Sequence, residues 1–300
     1  MFSAAAFKQN QSPVSGAANC VAAQLPVNWR KPDDSPDAIE RDVAYAMKIS
    51  NEYVELLEKQ ESALKGATVL ELGPGHNYGA ALVLACHGAD VVVADRFPVP
   101  WFEGYHDKFY ELLWQRLADI RPEIDTAPIK RCVKTSGTHK SVMVVESSAE
   151  NLAGIADVSI DIILSNAVLE HVQNPECVAH ELHRVTRSGG IGLHQIDFRD
   201  HRDFSRPLEY LLLGADDFGK MFAERNGECG RQTRHFEMHE FFRIAGFEVA
   251  AFDANWIATD EYLDEFMPRL GDSGSRYKTI TRDELRIISG RFILHKLGNA

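Results

Sequence analysis

The stretch VLELGPGHNYGAALVLACHGADVVVADRF, Val69 to Phe97, decides the fold. Val69 and Leu70 open a short buried strand, Glu71 and Leu72 lead out of it, and Gly73-Pro74-Gly75 turns the chain. Glycine suits such a turn because a Cβ would collide where the backbone bends sharply and approaches a ligand. From Tyr78 to Cys86 the residues are almost wholly apolar, which predicts a helix packed against a sheet. The first N–H groups of that helix have no intrahelical partner, and its positive dipole end faces the turn. Val91 to Ala94 forms a second buried strand, closed by Asp95 about twenty residues after the turn. An acid at that distance can take both hydroxyls of a ribose. Together these pieces make one βαβ mononucleotide-binding unit.

Two ligand classes fit such a unit, a dinucleotide and S-adenosylmethionine. The glycines are spaced G-x-G-x-x-x-G (Gly73, Gly75, Gly79) rather than in the dinucleotide pattern G-x-G-x-x-G, and Glu71 stands two residues before the first. A carboxylate there repels a pyrophosphate and suits a ligand with a cationic amino group. The balance favours the sulfonium cofactor.

Upstream, residues 1–34 are rich in Ala, Ser, Asn and Pro and read as a flexible arm. Ser35-Pro36-Asp37 supplies a helix cap, a first-turn proline and an early acid. Ile39, Val43, Ala46, Met47, Tyr53, Val54 and Leu57 then recur at helical spacing, so residues 35–66 are expected to form a helical cap over the sheet. Downstream, an insertion at 97–140 carries a helix from about Glu103 to Ile120. Trp101 and Tyr105 lie close behind Asp95 and are candidate acceptor contacts.

Val142–Val145 and Ile162–Leu164 read as strands, the second closed by Ser165 and Asn166. A helix from about Pro175 to Thr186 is expected to stop at Ser188-Gly189-Gly190, and Ile191–Phe198 is a further strand. A second insertion, 199–235, contains the helix-like LEYLLLGADDFGKMFAER. After it come a helix ending at Ala245, the strand FEVAAFDA, a capping box Thr281-x-x-Glu284 and a closing strand from Arg291. Strands alternating with helices specify a parallel α/β sheet.

These segments in this order resemble the class I S-adenosylmethionine-dependent methyltransferases, over roughly residues 66–200 and again 236–296. ELGPGHN is similar to the family's acid-x-G-x-G loop, with Asn77 where many members carry a third glycine. The resemblance implies a Rossmann-like, mostly parallel seven-stranded sheet with helices on both faces, spanning 67–300 with the two insertions at its carboxyl edge. It implies that Glu71, Gly73, Gly75 and Asn77 cradle the methionine part of the cofactor and that Asp95 holds the ribose. ESSAENL resembles the loop after the third strand, so Ser148 and Ala149 are the implied adenine contacts, though many members have Asp in place of Ser148. SNAVLEHV resembles the fourth-strand segment, and Asn166 is counted with the cofactor contacts.

Methyl transfer is an in-line displacement, so alignment carries most of the catalysis, and a hydroxyl acceptor gains from a base. His201, in the loop leaving the fifth strand, and His171, after the fourth, are the candidate bases, while Arg199 is a candidate acceptor contact. His194 lies within a strand and reads as core. No metal-binding set emerges, since His235 and His239 share a helix without further ligands.

The formal charge of −12 argues against nucleic acid and acidic membranes as partners, and no apolar run reaches the roughly 18–20 residues of a membrane span. Five scattered cysteines, with no C-x-x-C pair, suggest a reducing, cytoplasmic setting without a disulfide framework. The expected function is methylation of a small organic acceptor, O-methylation first and N-methylation second. A non-catalytic S-adenosylmethionine-binding regulatory protein of the same fold and an NAD-dependent oxidoreductase stand as alternatives. The acceptor and the oligomeric state are not legible.

Overall fold

Alternating apolar side chains project to opposite faces of a strand, so a sheet buried on both sides needs hydrophobic residues at every position. The central strands of this chain meet that condition. The computed structural model describes residues 29–137 and 141–298. The elements run α1 (Pro36–Lys59), β1 (Thr68–Leu72), α2 (Gly79–Cys86), β2 (Asp90–Asp95), α3 (Tyr105–Ile120) and α4 (Ala127–Thr135). There follow β3 (Met143–Glu146), β4 (Ile160–Asn166), α5 (Pro175–Val185) and β5 (Thr186–Asp197). A 3₁₀ turn at Glu209–Leu212 leads to α6 (Ala215–Glu224), α7 (His235–Ala245), β6 (Glu248–Ile257), α8 (Asp260–Gly271), α9 (Arg282–Arg286) and β7 (Ile287–His295).

The seven strands lie in the order β3-β2-β1-β4-β5-β7-β6. β3 through β5 are parallel, and β7 runs antiparallel between β5 and β6. This is the expected Rossmann-like sheet, with its switch point between β1 and β4. On one face Val69, Val91, Val93, Ile162 and Leu164 pack under α1, α2, α3 and α4. On the other, Leu70, Leu72, Val92 and Ile163 meet Val178 and Leu182 of α5 and Met238 and Phe242 of α7. A third cluster, built on Leu208, Tyr210 and Phe222 of the second insertion and Leu263 and Phe266 of α8, gives these two segments a shared core. No helix among the described residues is long and apolar enough to cross a membrane.

Ser35 caps α1 as its sequence implies, its side chain accepting from the Ala38 N–H at 3.4 Å. Most of the arm, residues 1–28, lies outside the described residues. Several boundaries differ from expectation. α5 stops at Val185, and Ser188-Gly189-Gly190 lies inside β5. Pairing of Thr186 with Ile160 draws the chain into the sheet before the glycines are reached. LEYLLLGADDFGKMFAER splits at Gly214 into the 3₁₀ turn and α6. α4 and α8 carry no clear signal in the sequence; both are short or highly charged and owe their helicity to the surfaces they cover. Cys177 is disulfide-bonded, against the expectation of none, while Cys86, Cys132 and Cys229 are buried thiols.

Arg234 is buried at 0% exposure where the insertion rejoins the sheet. Its guanidinium donates to the carbonyls of Phe198 (2.9 Å), Leu285 (3.0 Å) and Ile287, tying the ends of β5 and α9 and the start of β7 together. Arg234→Met keeps the volume and removes the donor from the Leu285 and Ile287 carbonyls, while Phe198 keeps the Tyr210 hydroxyl at 2.8 Å; unfolding in urea should show a loss of about 3 kcal/mol. An unchanged midpoint would show that this tie contributes nothing to the fold.

Candidate active site

In open α/β sheets a ligand crevice forms at the carboxyl ends of the strands flanking the switch point. Here a cavity of about 390 Å³ opens at that place, within the roughly 300–1,000 Å³ of small-molecule sites. Leu72 and Gly73 line it from β1, and Ala94 to Phe97 from β2. Ser147 to Glu150 follow from the β3 exit, then Val168, His171 and Val172 from the β4 exit. Asn226 and Glu228 of the second insertion complete the wall.

The turn after β1 is glycine at the two positions that need it. Gly73 has φ +58°, and a Cβ on it would lie 2.6 Å from Val168 Cγ2; Gly75 has φ +71° with open space above it. Gly79 serves packing instead. A Cβ there would strike Ala46 Cβ at 2.5 Å and Phe109 Cζ at 2.9 Å, so its absence lets α1 and α3 close on α2. The left-handed residue before α2 is Tyr78, φ 54°. Asn77 accepts the Gly79 N–H on Oδ1 at 2.9 Å.

Two carboxylates bracket this loop. Glu71 is 4% exposed, and its Oε2 has no hydrogen-bond partner. Burial pushes its pKa up to about 8, against a smaller opposing pull from the Ala81 N–H. Asp95 lines the cavity; its Oδ1 accepts the Phe97 N–H at 2.7 Å, and no hydrogen bond to Oδ2 is found among the described residues. Burial raises the Asp95 pKa, countered by the Phe97 N–H and by Arg96.

Ser148 and Ala149 stand on the cavity wall. Arg96, directly after Asp95, donates from Nη2 to Ser148 Oγ at 2.9 Å and to Glu150 Oε2 at 2.8 Å. Glu150 Oε1 also accepts the Gln173 N–H at 2.6 Å, which fastens the β3 exit to the β4 exit. Sequence reasoning missed Arg96 and Glu150. Their signal is present, since each adjoins a candidate cofactor contact.

Of the candidate bases, His171 reaches the cavity, and His201 packs edge-on behind it with ring centroids 5.0 Å apart. The His171 Nδ1 is 2.9 Å from the Gly227 carbonyl, and burial lowers its pKa despite that bond. His201 Nε2 lies 3.5 Å from Asp197. His194 is fully buried and bonded to Ser165 at 2.8 Å, as a core histidine should be.

The three expected acceptor contacts do not line the cavity. Tyr105 is at 0% exposure, and its hydroxyl donates to Asp42 at 2.6 Å and meets His76 Nε2 at 2.8 Å, so it braces the glycine loop from outside. Trp101 stacks on His106 with centroids 4.9 Å apart. Arg199 is held by Asp197 and lies between the rings of Phe204 and Trp256, 4.3 and 4.2 Å away. Asn166 is drawn to Tyr45 of α1, donating to its hydroxyl at 2.8 Å. His235 stacks on Phe252 with ring centroids 5.3 Å apart.

Glu71 makes stability depend on pH. The folded chain keeps its proton to about pH 8, whereas a free carboxyl ionises near 4.5. The native state therefore binds more protons than the unfolded state between those values, and stability falls as pH rises through that window. Glu71→Gln cannot ionise. Thermal unfolding should show the variant gaining on the parent chain from pH 5 to pH 8, by a margin of several kcal/mol in order of magnitude. A constant difference across that range would contradict the assignment.

Residues 114–193 match the family model described as a methyltransferase domain. No curated protein matches the sequence. Among solved structures, the chain is similar to an S-adenosylmethionine-dependent methyltransferase from Mesorhizobium loti, with 13% identity over 80% of this chain and 95% of that one and a TM-score of 0.46. It is also similar to phosphoethanolamine N-methyltransferase 2 of Haemonchus contortus, at 13% identity over 83% of this chain and 53% of that one, TM-score 0.46. The cyclase SpnF matches at 14% identity over 78% and 76%, TM-score 0.43. Likenesses this distant say nothing of the substrate. The segment matched by the family model contains β3, β4, α5 and the β3 and β4 exits of the cavity wall, and over that segment the chain is similar to a methyltransferase domain.

Proposed function

We propose that the cavity seats S-adenosylmethionine and that the chain directs its methyl group to a small organic acceptor, an oxygen first and a nitrogen second. The observation that carries this reading is the pair of under-used carboxylates flanking the glycine loop. Glu71, buried with an unpartnered oxygen beside the cavity-lining Leu72 and Gly73 though not itself in the lining, suits a cationic amino group, and Asp95, which lines the cavity and whose Oδ2 has no hydrogen bond among the described residues, suits a ribose diol. The cofactor, when bound, supplies an electrophilic methyl on a cationic sulfur. What the chain adds is alignment and exclusion of water, and near-attack alignment alone is worth roughly 7–11 kcal/mol.

For a hydroxyl acceptor the proton goes to His171, which is on the cavity wall and which burial keeps neutral. His201 backs that ring. Asn226 and Glu228 of the second insertion are the acceptor-side contacts in this reading, in place of Trp101, Tyr105 and Arg199. Ser148 and Ala149, with Arg96, are the adenine-side contacts.

Thermal unfolding with S-adenosylmethionine, S-adenosylhomocysteine or NAD tests the cofactor. At about a hundred times the dissociation constant, a ligand of the native state adds about 2.7 kcal/mol, a rise of several degrees. The first two ligands should give that rise and NAD none, and Asp95→Ala should abolish it; a rise with NAD alone would contradict the proposal. Mass spectrometry of small phenols, carboxylic acids and amines incubated with cofactor tests the transfer. His171→Gln should lower kcat on a hydroxyl acceptor by about 10²–10⁴. Tight cofactor binding with no methylated product across the panel would favour a regulatory protein of this fold.

A further inference from the structure

Glu170, His171 and His201 come together although thirty residues of chain separate the first two from the third. Glu170 and His171 stand in the turn between β4 and α5, and His201 in the loop leaving β5. One ligand atom from each lies within 4.8 Å of the other two. Three features set this group apart from a chance cluster. Glu170 is 3% exposed, and neither of its carboxylate oxygens has a hydrogen-bond partner. The Nε2 of His201 is likewise buried without a hydrogen bond. His171 faces the Gly227 carbonyl through Nδ1 at 2.9 Å. A carbonyl can only accept, so the proton of the neutral ring sits on Nδ1 and Nε2 carries a free lone pair. A carbonyl behind the imidazole is also how metal-ligating histidines are oriented.

The backbone N–H groups of Glu170 and Asp197 and the charge of Arg199 act on Glu170, but its burial outweighs them. Arg199 is engaged by Asp197 through Nε at 2.9 Å and through Nη2 at 2.5 Å, and it is stacked between Phe204 and Trp256. Asp197 itself lies 3.5 Å from His201 Nε2. The group thus has one carboxylate and two imidazoles with no cation among them.

We infer that Glu170, His171 and His201 bind one divalent transition-metal ion. Two imidazoles and a carboxylate suit zinc, iron, cobalt or nickel, whereas magnesium and calcium take oxygen ligands. Three protein ligands leave a coordination position open, as in catalytic rather than structural zinc sites. Because His171 also lines the cavity, the ion borders it. With the ion bound, His171 is a ligand and no longer a proton acceptor. The inference stands on the donor atoms alone and does not depend on the cofactor assignment.

The test is a titration of the full chain, freed of metal by chelator, with Co²⁺ followed by visible absorption. One equivalent should bind with ligand-field bands, and Zn²⁺ should displace it. Loss of an outer-shell partner costs about 10–100-fold in metal affinity, so Glu170→Gln and His201→Ala, which remove ligands, should weaken binding by at least that much. Absence of saturable binding, or equal affinity in both variants, would overturn the inference. Should the variants not fold, the parent chain still decides. Zn²⁺ should protect His171 and His201 from diethyl pyrocarbonate while exposed His239 stays reactive, and unprotected His171 and His201 would overturn the inference.

Discussion

At the end of β1 the backbone of Gly73 leaves no room for a side chain. Its φ is +58°, and a Cβ would stand 2.6 Å from Val168 Cγ2. That one close approach lets the turn after β4 rest on the turn after β1, where Ala167 is also left-handed at φ 55°. The strands on either side of the switch point are paired directly, β1 with β4, and the cavity opens beyond their exits. Glycine is required for conformation and for space at once, so any side chain at this position acts on the whole edge of the sheet.

The cavity wall is fixed by pairs made within the chain. Arg96 joins the β2 exit to Ser148 and Glu150 at the β3 exit, and Glu150 takes the Gln173 N–H of the β4 exit. Three loops are thus held by one buried carboxylate and one guanidinium. On the outside of the glycine loop, Tyr105 forms a similar link between Asp42 of α1 and His76. Polar groups paired in advance need little reordering when a ligand arrives, which favours both affinity and alignment. Glu71 and Glu170 are different: both are buried with unpartnered oxygens. Burial raises the pKa of both to about 8, and each leaves carboxyl oxygens for a partner outside the described residues.

The strand–turn–helix–strand unit was legible because each of its signals is local: continuous apolar runs for the strands, glycines for the turn, and Asp95 at a fixed distance. The sheet followed from alternation of elements, and the cap on α1 from Ser35 and Pro36. What could not be read depends on partners distant in sequence. Nothing near Tyr105 announces Asp42, and nothing near Arg199 announces Trp256. An aromatic residue or an arginine close to a ligand edge reads as a contact until its own partners are known. α8 is amphipathic only against a surface formed by the second insertion. The meeting of Glu170 and His171 with His201 needs the register of β4 beside β5, which no spacing rule supplies.

The central claim is that this cavity is a cofactor seat, with Asp95 at the ribose and Glu71 at the amino group. A crystal structure of the chain with S-adenosylhomocysteine tests it most directly. The ribose hydroxyls should lie within hydrogen-bond distance of the Asp95 carboxylate, the adenine beside Ser148 and Ala149, and the amino end at the Glu71 side of the glycine loop. Density for the ligand elsewhere on the molecule, or its reversal in the cavity with adenine at Glu71, would contradict the claim.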